Sequence, residues 1–253
     1  MSAVFVAGKG LWAPGFRDAA AWLQGQPDAA VAAPAAELLP AASRRRASAL
    51  TRMVAEAAGA AAAESGTDLG QAPIVLGSRF GEIGAAVEMI ASFREGEGLP
   101  SPTRFHNSVH NGPAAYVSMA TGNRGLATAV AAGDDTAGMA LLEAIGILDE
   151  RGGDVLLLLG DEALPPPLAG CRSYTPGAVA LVLSSAPRRS GCVRLQGLRR
   201  GTAPAVELPR GFAEHPCAGG FALVAAASRG AGTVALGAAR EGWIVDLYPA
   251  GAA

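Results

Sequence analysis

Two adjacent aspartates stand where a short apolar run, Leu126 to Ala132, gives way to an amphipathic stretch, Thr136 to Asp149. The change of pattern reads as a strand-to-helix elbow, a turn that exposes the residue at its tip and aims the N–H groups of the following helix at it. Enzymes use such turns to hold a thiolate or a developing anion. Here the tip carries Asp134 and Asp135. A carboxylate in that place can cap the helix, reach across to another subunit or form a mixed anhydride with an acyl group. The anhydride route is chemically poor, because a carboxylate is a weak nucleophile toward a thioester. Helix capping is the expectation for Asp134, Asp135 and Thr136, with a contribution of about 0.5–2 kcal/mol.

Other groups with reactive chemistry are sparse. His106 and His110 stand four residues apart in Phe105-His-Asn-Ser-Val-His-Asn111, but a metal site needs a third ligand that this stretch does not supply. Asparagine and serine there serve better as turn and cap formers. Cys171, Cys192 and Cys217 form no Cys-x-x-Cys pair and read as small buried or half-buried residues rather than a zinc site or a disulfide framework. His215, in Glu214-His-Pro-Cys-Ala-Gly-Gly220, reads as a turn residue. Neither a metal nor a cofactor is expected.

The chain has 253 residues, half of them hydrophobic, and a net charge of -2. That composition supplies a substantial core and no global basic field for nucleic acid. Lys9 is the single lysine. No apolar run approaches the roughly 18 residues of a membrane span, and nothing at the N-terminus resembles a signal sequence, so a cytoplasmic protein is expected. Arg44-Arg-Arg46 forms the densest basic group, with Arg188-Arg189 and Arg199-Arg200 as weaker ones.

The elements that must position the elbow alternate. Ala3 to Ala7 reads as a strand followed by a turn at Gly8-Lys-Gly10, then a helix near Asp18 to Gln24. After an Ala/Pro-rich linker at Pro34 to Pro40, Ser43 to Glu64 reads as one long helix with Ser43 as N-cap, which places Arg44 to Arg46 unfavourably at a helix start. Pro73 to Ser78 reads as a buried strand and Gly81 to Phe93 as a helix with Ile83, Val87 and Ile90 on its apolar face. Further strands are expected at Val155 to Leu159 and Ala178 to Leu183, with weak ones near Val193 to Leu198 and Val234 to Leu236 and a helix near Phe221 to Ser228. Continuous apolar strands between helices imply an α/β sheet covered on both faces.

The elbow, the segment from Ser101 to Gly122 and the stretch Gly153-Asp-Val-Leu-Leu-Leu-Leu-Gly-Asp-Glu162 together resemble, in order and spacing, the N-terminal half of β-ketoacyl synthases. The nearest resemblance is to the short chain-length-factor-like proteins of aryl-polyene and fatty-acid gene sets. It covers most of residues 1 to 185 and fades thereafter. The resemblance implies a thiolase-like α/β fold in which residues 1–185 form the ketosynthase-like domain and 186–253 a reduced C-terminal appendage packing on it. It places Asp134 where an active ketosynthase has its acyl-accepting cysteine, and Glu162 on the family's acidic residue after the Gly-Gly turn. The catalytic histidine segments and lysine of the family's second half have no counterpart in this sequence.

The resemblance therefore implies a non-catalytic subunit that heterodimerises with a complete β-ketoacyl synthase and helps shape its acyl tunnel. Its interface or tunnel residues would be Phe105, His106, Val109, His110, Tyr116, Asp134, Asp135 and Met139. Arg44, Arg45 and Arg46 would dock an acyl carrier protein. The Leu126 to Ala132 strand would leave an open edge that invites a partner, and a second copy could pair there too. Two alternatives stay open: an active acyltransferase with a non-standard nucleophile such as Cys217, and a carrier-docking scaffold without a tunnel role.

Overall fold

The structure, a computed structural model, describes residues 3–94, 102–188, 192–204, 207–237 and 242–251. Ser101 and Arg189 lie outside them. Eight strands and eight helices follow in the order β1 (Val4–Trp12), α1 (Ala19–Leu23), α2 (Ala41–Arg46), α3 (Ala49–Ser65), β2 (Ile74–Gly77), α4 (Ile83–Arg94), α5 (Pro102–Asn107) and α6 (Gly112–Thr121). The elbow strand β3 (Ala127–Val130) and helix α7 (Thr136–Arg151) come next, followed by β4 (Asp154–Asp161), β5 (Gly177–Ser184), β6 (Val193–Gly201), α8 (Ala218–Arg229), β7 (Gly232–Ala235) and β8 (Gly242–Pro249).

All eight strands form one sheet in the order β3-β2-β4-β5-β1-β6-β8-β7. The β3, β2 and β4 strands run parallel, and the remaining pairs are antiparallel. Because successive strand side chains point to opposite faces, β4 divides its leucines. Leu157 and Leu159 join the α7 and α8 side, whereas Leu156 and Leu158 join the side covered by α3 and α6. Strands fully buried on both faces are the reason the sequence shows no alternation there. The segment after Ser184 continues this sheet through β6, β8 and β7. The β8 strand, with its Trp-Ile-Val-Asp-Leu-Tyr run, is absent from the sequence expectation.

Three expectations need correction. The Gly8-Lys-Gly10 segment is no turn: β1 runs straight through it with a bulge near Gly8. A Cβ on Gly8 would lie 2.3 Å from the Ala61 carbonyl oxygen and one on Gly10 2.0 Å from that of Ala57. These glycines let α3 lie against the strand, the close-approach use of the residue. The expected helix from Ser43 to Glu64 is two helices, broken at Ala47 and Ser48. Ser48 is the N-cap of α3, its hydroxyl accepting from the Thr51 N–H at 2.9 Å. Arg44 to Arg46 consequently fall in the last turn of α2, where cations complement the helix dipole.

The third correction concerns α4. Ser92 is its single fully buried residue, Ile83 and Val87 are half-buried, and Ile90 and Phe93 are 57% and 55% exposed. The described residues thus leave Ile90 and Phe93 largely uncovered and Ile83 and Val87 only partly covered. Among the described residues, no helix is long and apolar enough to cross a membrane.

Candidate functional site

The elbow forms as its pattern requires. β3 ends at Val130, a 3-10 turn covers Gly133–Asp135, and α7 follows. Gly133 takes φ of 60°, which L side chains rarely adopt. The aspartates, however, do not cap the helix: no side-chain cap bond is made by Asp135 at the N-cap of α7. Thr136 instead ties the turn together, its hydroxyl accepting from the Ala132 N–H at 3.0 Å and donating to the Gly133 carbonyl at 2.7 Å.

The two carboxylates face arginines that sequence reasoning did not single out as elbow partners. Asp134 Oδ1 is paired with Arg79 and, at 2.9 Å, with Arg172. The Arg172 hydrogen bond, together with the charges of both guanidiniums, holds the Asp134 carboxyl below the usual carboxylate range. Asp135 Oδ2 accepts from Arg200 at 2.9 Å, and the Arg200 guanidinium sits over the Trp243 ring. Trp243 in turn lies against Gly138 of α7, where a Cβ would come within 2.6 Å of it. The C-terminal strands are therefore fastened to the elbow itself. A carboxylate held between two cations is fixed and fully ionised, and its charge is already spent on partners within the chain.

Arg79 is aimed by a loop that a buried carboxylate organises. Asp161, at the end of β4 and fully buried, accepts from the Ser78 hydroxyl at 2.7 Å and from the N–H groups of Phe80 and Arg79 at 2.8 and 3.1 Å. The Cys217 thiol donates to it at 3.4 Å. Burial nonetheless raises the Asp161 carboxyl above its ordinary range, outweighing these bonds. His110 Nε2 meets the Ser78 carbonyl at 2.8 Å, and Glu82, at the far end of the loop, accepts from the Ser48 and Thr51 hydroxyls at 2.7 and 2.8 Å. Desolvation pushes the Glu82 carboxyl up to about 7. The signal available in the sequence was the polar turn Ser78-Arg-Phe-Gly-Glu82 directly after a buried strand; its partners are distant in the chain.

The proximity of Cys217, His215 and Asp161 has the residue types of a nucleophile triad but not its geometry. Cys217 Sγ contacts Asp161 and the Gly77 carbonyl, while His215 Nδ1 accepts from the Cys217 backbone N–H at 2.9 Å. The sulfur thus has no imidazole base. Burial drives the thiol well above its ordinary value and lowers His215 to about 3, so both are neutral. His215 precedes α8 in a turn, as expected, but buried against Tyr174 and Phe221. Cys171, expected to be buried or half-buried, is exposed.

The remaining predicted residues are dispersed. Phe105 is 60% exposed and His106 is exposed on the same short helix, its ring 5.7 Å from Tyr116. Tyr116 is buried and donates to Asn107 Oδ1 at 3.0 Å, and Val109 and Met139 are half-buried. His106 and His110 do not converge on a common point, and no His, Cys, Asp and Glu cluster among the described residues could hold a metal. Arg45 and Arg46 are exposed, and Arg44 donates to the Ala35 carbonyl. Arg188, Arg199 and Arg200 are occupied in pairs with Asp154, Asp246 and Asp135.

The family model of the β-ketoacyl synthase N-terminal domain matches residues 19–244. The chain belongs to this family. The match runs well beyond residue 185, where the resemblance in sequence fades, and takes in β6, β7 and the start of β8. No curated protein matches the chain by sequence. Among solved structures, a chain of the ketosynthase (ApeO) in complex with its chain length factor (ApeC) from Xenorhabdus doucetiae has a TM-score of 0.73 at 20% identity, covering 97% of this chain and 99% of that one. The ishigamide ketosynthase/chain length factor gives 0.65 at 15%, covering 79% and 67%. The AntDE:AntF assembly, a type II polyketide synthase carrier protein with its ketosynthase, gives 0.65 at 17%, covering 81% and 70%. These likenesses establish the thiolase-like ketosynthase fold.

Proposed function

We propose that this ketosynthase-family chain is a non-catalytic, chain-length-factor-like subunit that heterodimerises with a complete β-ketoacyl synthase and helps shape its acyl tunnel, in fatty-acid, polyene or polyketide biosynthesis. The observation that carries the reading is the elbow. Asp134, which the family resemblance puts at the nucleophile position, is a carboxylate paired through Oδ1 with Arg79 and Arg172, so the elbow offers no thiolate for acyl transfer. Partnering is supported by β3, which forms one edge of the sheet and leaves backbone groups open for pairing. The chain also exposes Met119 of α6, a helix that contacts β3, and Ile90, Phe93 and Phe105 on α4 and α5, which contact each other. Exposed large apolar side chains grouped on neighbouring helices, as on α4 and α5, are the kind of feature that supports an interaction surface. The solved complexes named above pair a ketosynthase with a chain length factor or a carrier protein. Arg45 and Arg46, exposed at the end of α2, are the surface proposed for an acyl carrier protein, whose acidic groups they would steer.

The alternative of acyl transfer through Cys217 draws no support from a thiol that is 0% exposed. Co-expression with a complete ketosynthase and a carrier protein, followed by mass measurement and product analysis, tests the reading. A 1:1 complex whose product length changes with this chain, with acyl label confined to the other subunit, is expected. Acylation of this chain in isolation overturns it.

A further inference from the structure

Helix α4 meets the body of the chain at its first turn, and two carboxyl groups make the junction. Glu82 opens the helix, its carbonyl accepting from the Ala86 N–H at 3.0 Å, while its Oε1 accepts from the Ser48 and Thr51 hydroxyls at the start of α3. Glu162, just after β4, accepts from the Gly84 N–H at 2.9 Å. Gly112, the first residue of α6, lies against the Glu82 side chain, where a Cβ would stand 3.5 Å from Cγ. Farther along, α4 is loosely held. The hydroxyl of Ser92, its one buried residue, turns back to the Met89 carbonyl of the same helix. The element that α4 packs against most is α5, which itself has no fully buried residue. Segments with so little buried apolar contact open locally at lower cost than the core.

Glu82 makes that junction sensitive to charge. Its Oε2 is sealed from solvent without a hydrogen-bond partner, and none of the ion pairs of the described residues includes it. A neutral carboxyl tolerates such a place; an ionised one lacks both water and a counter-ion. The titratable and charged groups around it are Arg52 of α3, Glu162, Glu88 of α4, Tyr116 of α6 with Arg46 beyond it, and His110 beside Gly81. Glu162 repels the ionised form. Lifting the first turn of α4 away from α3 would return the Glu82 carboxylate to water.

We propose that Glu82 is a proton-dependent latch: protonated, it holds the first turn of α4 against Ser48 and Thr51, and ionised, it releases α4 with Ile83 and Val87 by a local opening that leaves the sheet intact. Burial raises its carboxyl to about 7 in the closed chain, against 4.5 in water. Opening therefore becomes more populated as pH rises between these values and levels off above the higher one. Glu162, whose carboxyl burial also raises, acts in the same direction. The latch belongs to this chain alone, and it stands or falls apart from the subunit role proposed above.

Native-state hydrogen exchange of the full chain, read by mass spectrometry at about pH 6 and about pH 8 with and without urea below the unfolding range, tests it. With rates divided by the intrinsic exchange rate, opening of the α4 amides should rise about tenfold from the lower pH to the higher. It should depend little on urea, as expected of an opening that exposes little surface, whereas exchange in β4 and β5 should rise steeply with urea. Glu82→Gln, which keeps an acceptor for both hydroxyls and has no charge to release, should hold α4 closed at both pH values with the circular dichroism spectrum unchanged. Exchange of α4 that follows urea as steeply as that of β4 and β5 overturns the proposal, since the opening is then global. So do α4 amides without protection at the lower pH, a pH response in the unmodified chain of less than about twofold, or a full response that persists in folded Glu82→Gln.

Discussion

Replacing Glu82 by glutamine should stabilise the protein at alkaline pH and do little at acidic pH. Glu82 is 2% exposed, and its Oε2 has no hydrogen-bond partner. Two hydroxyls stabilise its other oxygen, but desolvation dominates and the carboxyl holds its proton up to about pH 7, against an ordinary 4.5. Between those two values the folded chain carries a proton that the unfolded chain has released. Stability therefore falls as pH rises from 4.5 to about 7 and levels off above that. At roughly 1.4 kcal/mol per pH unit, the fully developed penalty is about 3 kcal/mol. Glutamine keeps an acceptor for Ser48 and Thr51 and has no charge to desolvate. Urea unfolding of both proteins at about pH 5 and about pH 8 should show the advantage of Glu82→Gln growing by about 2–3 kcal/mol between them, at unchanged m. An advantage that is the same at both pH values refutes the reasoning.

Asp161→Ala should cost about 3 kcal/mol or more in the same assay, because the Ser78 hydroxyl and the Phe80 and Arg79 N–H groups lose their buried acceptor; a loss under about 1 kcal/mol means the loop is held by other contacts. Gly10→Val should cost at least about 2 kcal/mol, since its Cβ would overlap the α3 backbone; a melting temperature equal to that of the unmodified chain speaks against the close approach. Asp134→Asn should change stability by less than about 1 kcal/mol, because half-exposed ion pairs contribute little. With a thiol reagent under native conditions Cys171 should react at once, while Cys192 and Cys217 should require unfolding; prompt labelling of Cys217 contradicts its burial.

The sequence by itself determined the alternation of strands and helices from Pro73 to Leu183, because strands buried on both faces must be apolar throughout and the helices between them must carry one apolar stripe. It also located the elbow and the pair of aspartates at its tip, since both are local: one depends on a change of period, the other on residue type. Gly8 and Gly10 were misread because a glycine pair is equally compatible with a turn and with a helix lying close against a strand, and the carbonyls of Ala57 and Ala61 that decide the matter are about fifty residues away. The break at Ser48 was missed because Ser43 was an equally good N-cap on local grounds; the choice is made by Glu82, which takes the Ser48 hydroxyl across thirty-four positions of chain.

What only the tertiary structure decided is where the charges go. Asp134 reaches Arg79 and Arg172, separated from it by 55 and 38 positions, and Asp135 reaches Arg200 across 65. A carboxylate at a helix start carries the same local signal whether it caps the helix or pairs with a distant guanidinium. The choice follows from the sheet, whose parallel strands β2, β3 and β4 bring their carboxyl ends together and so deliver the Arg79 loop, the elbow and Asp161 to one place.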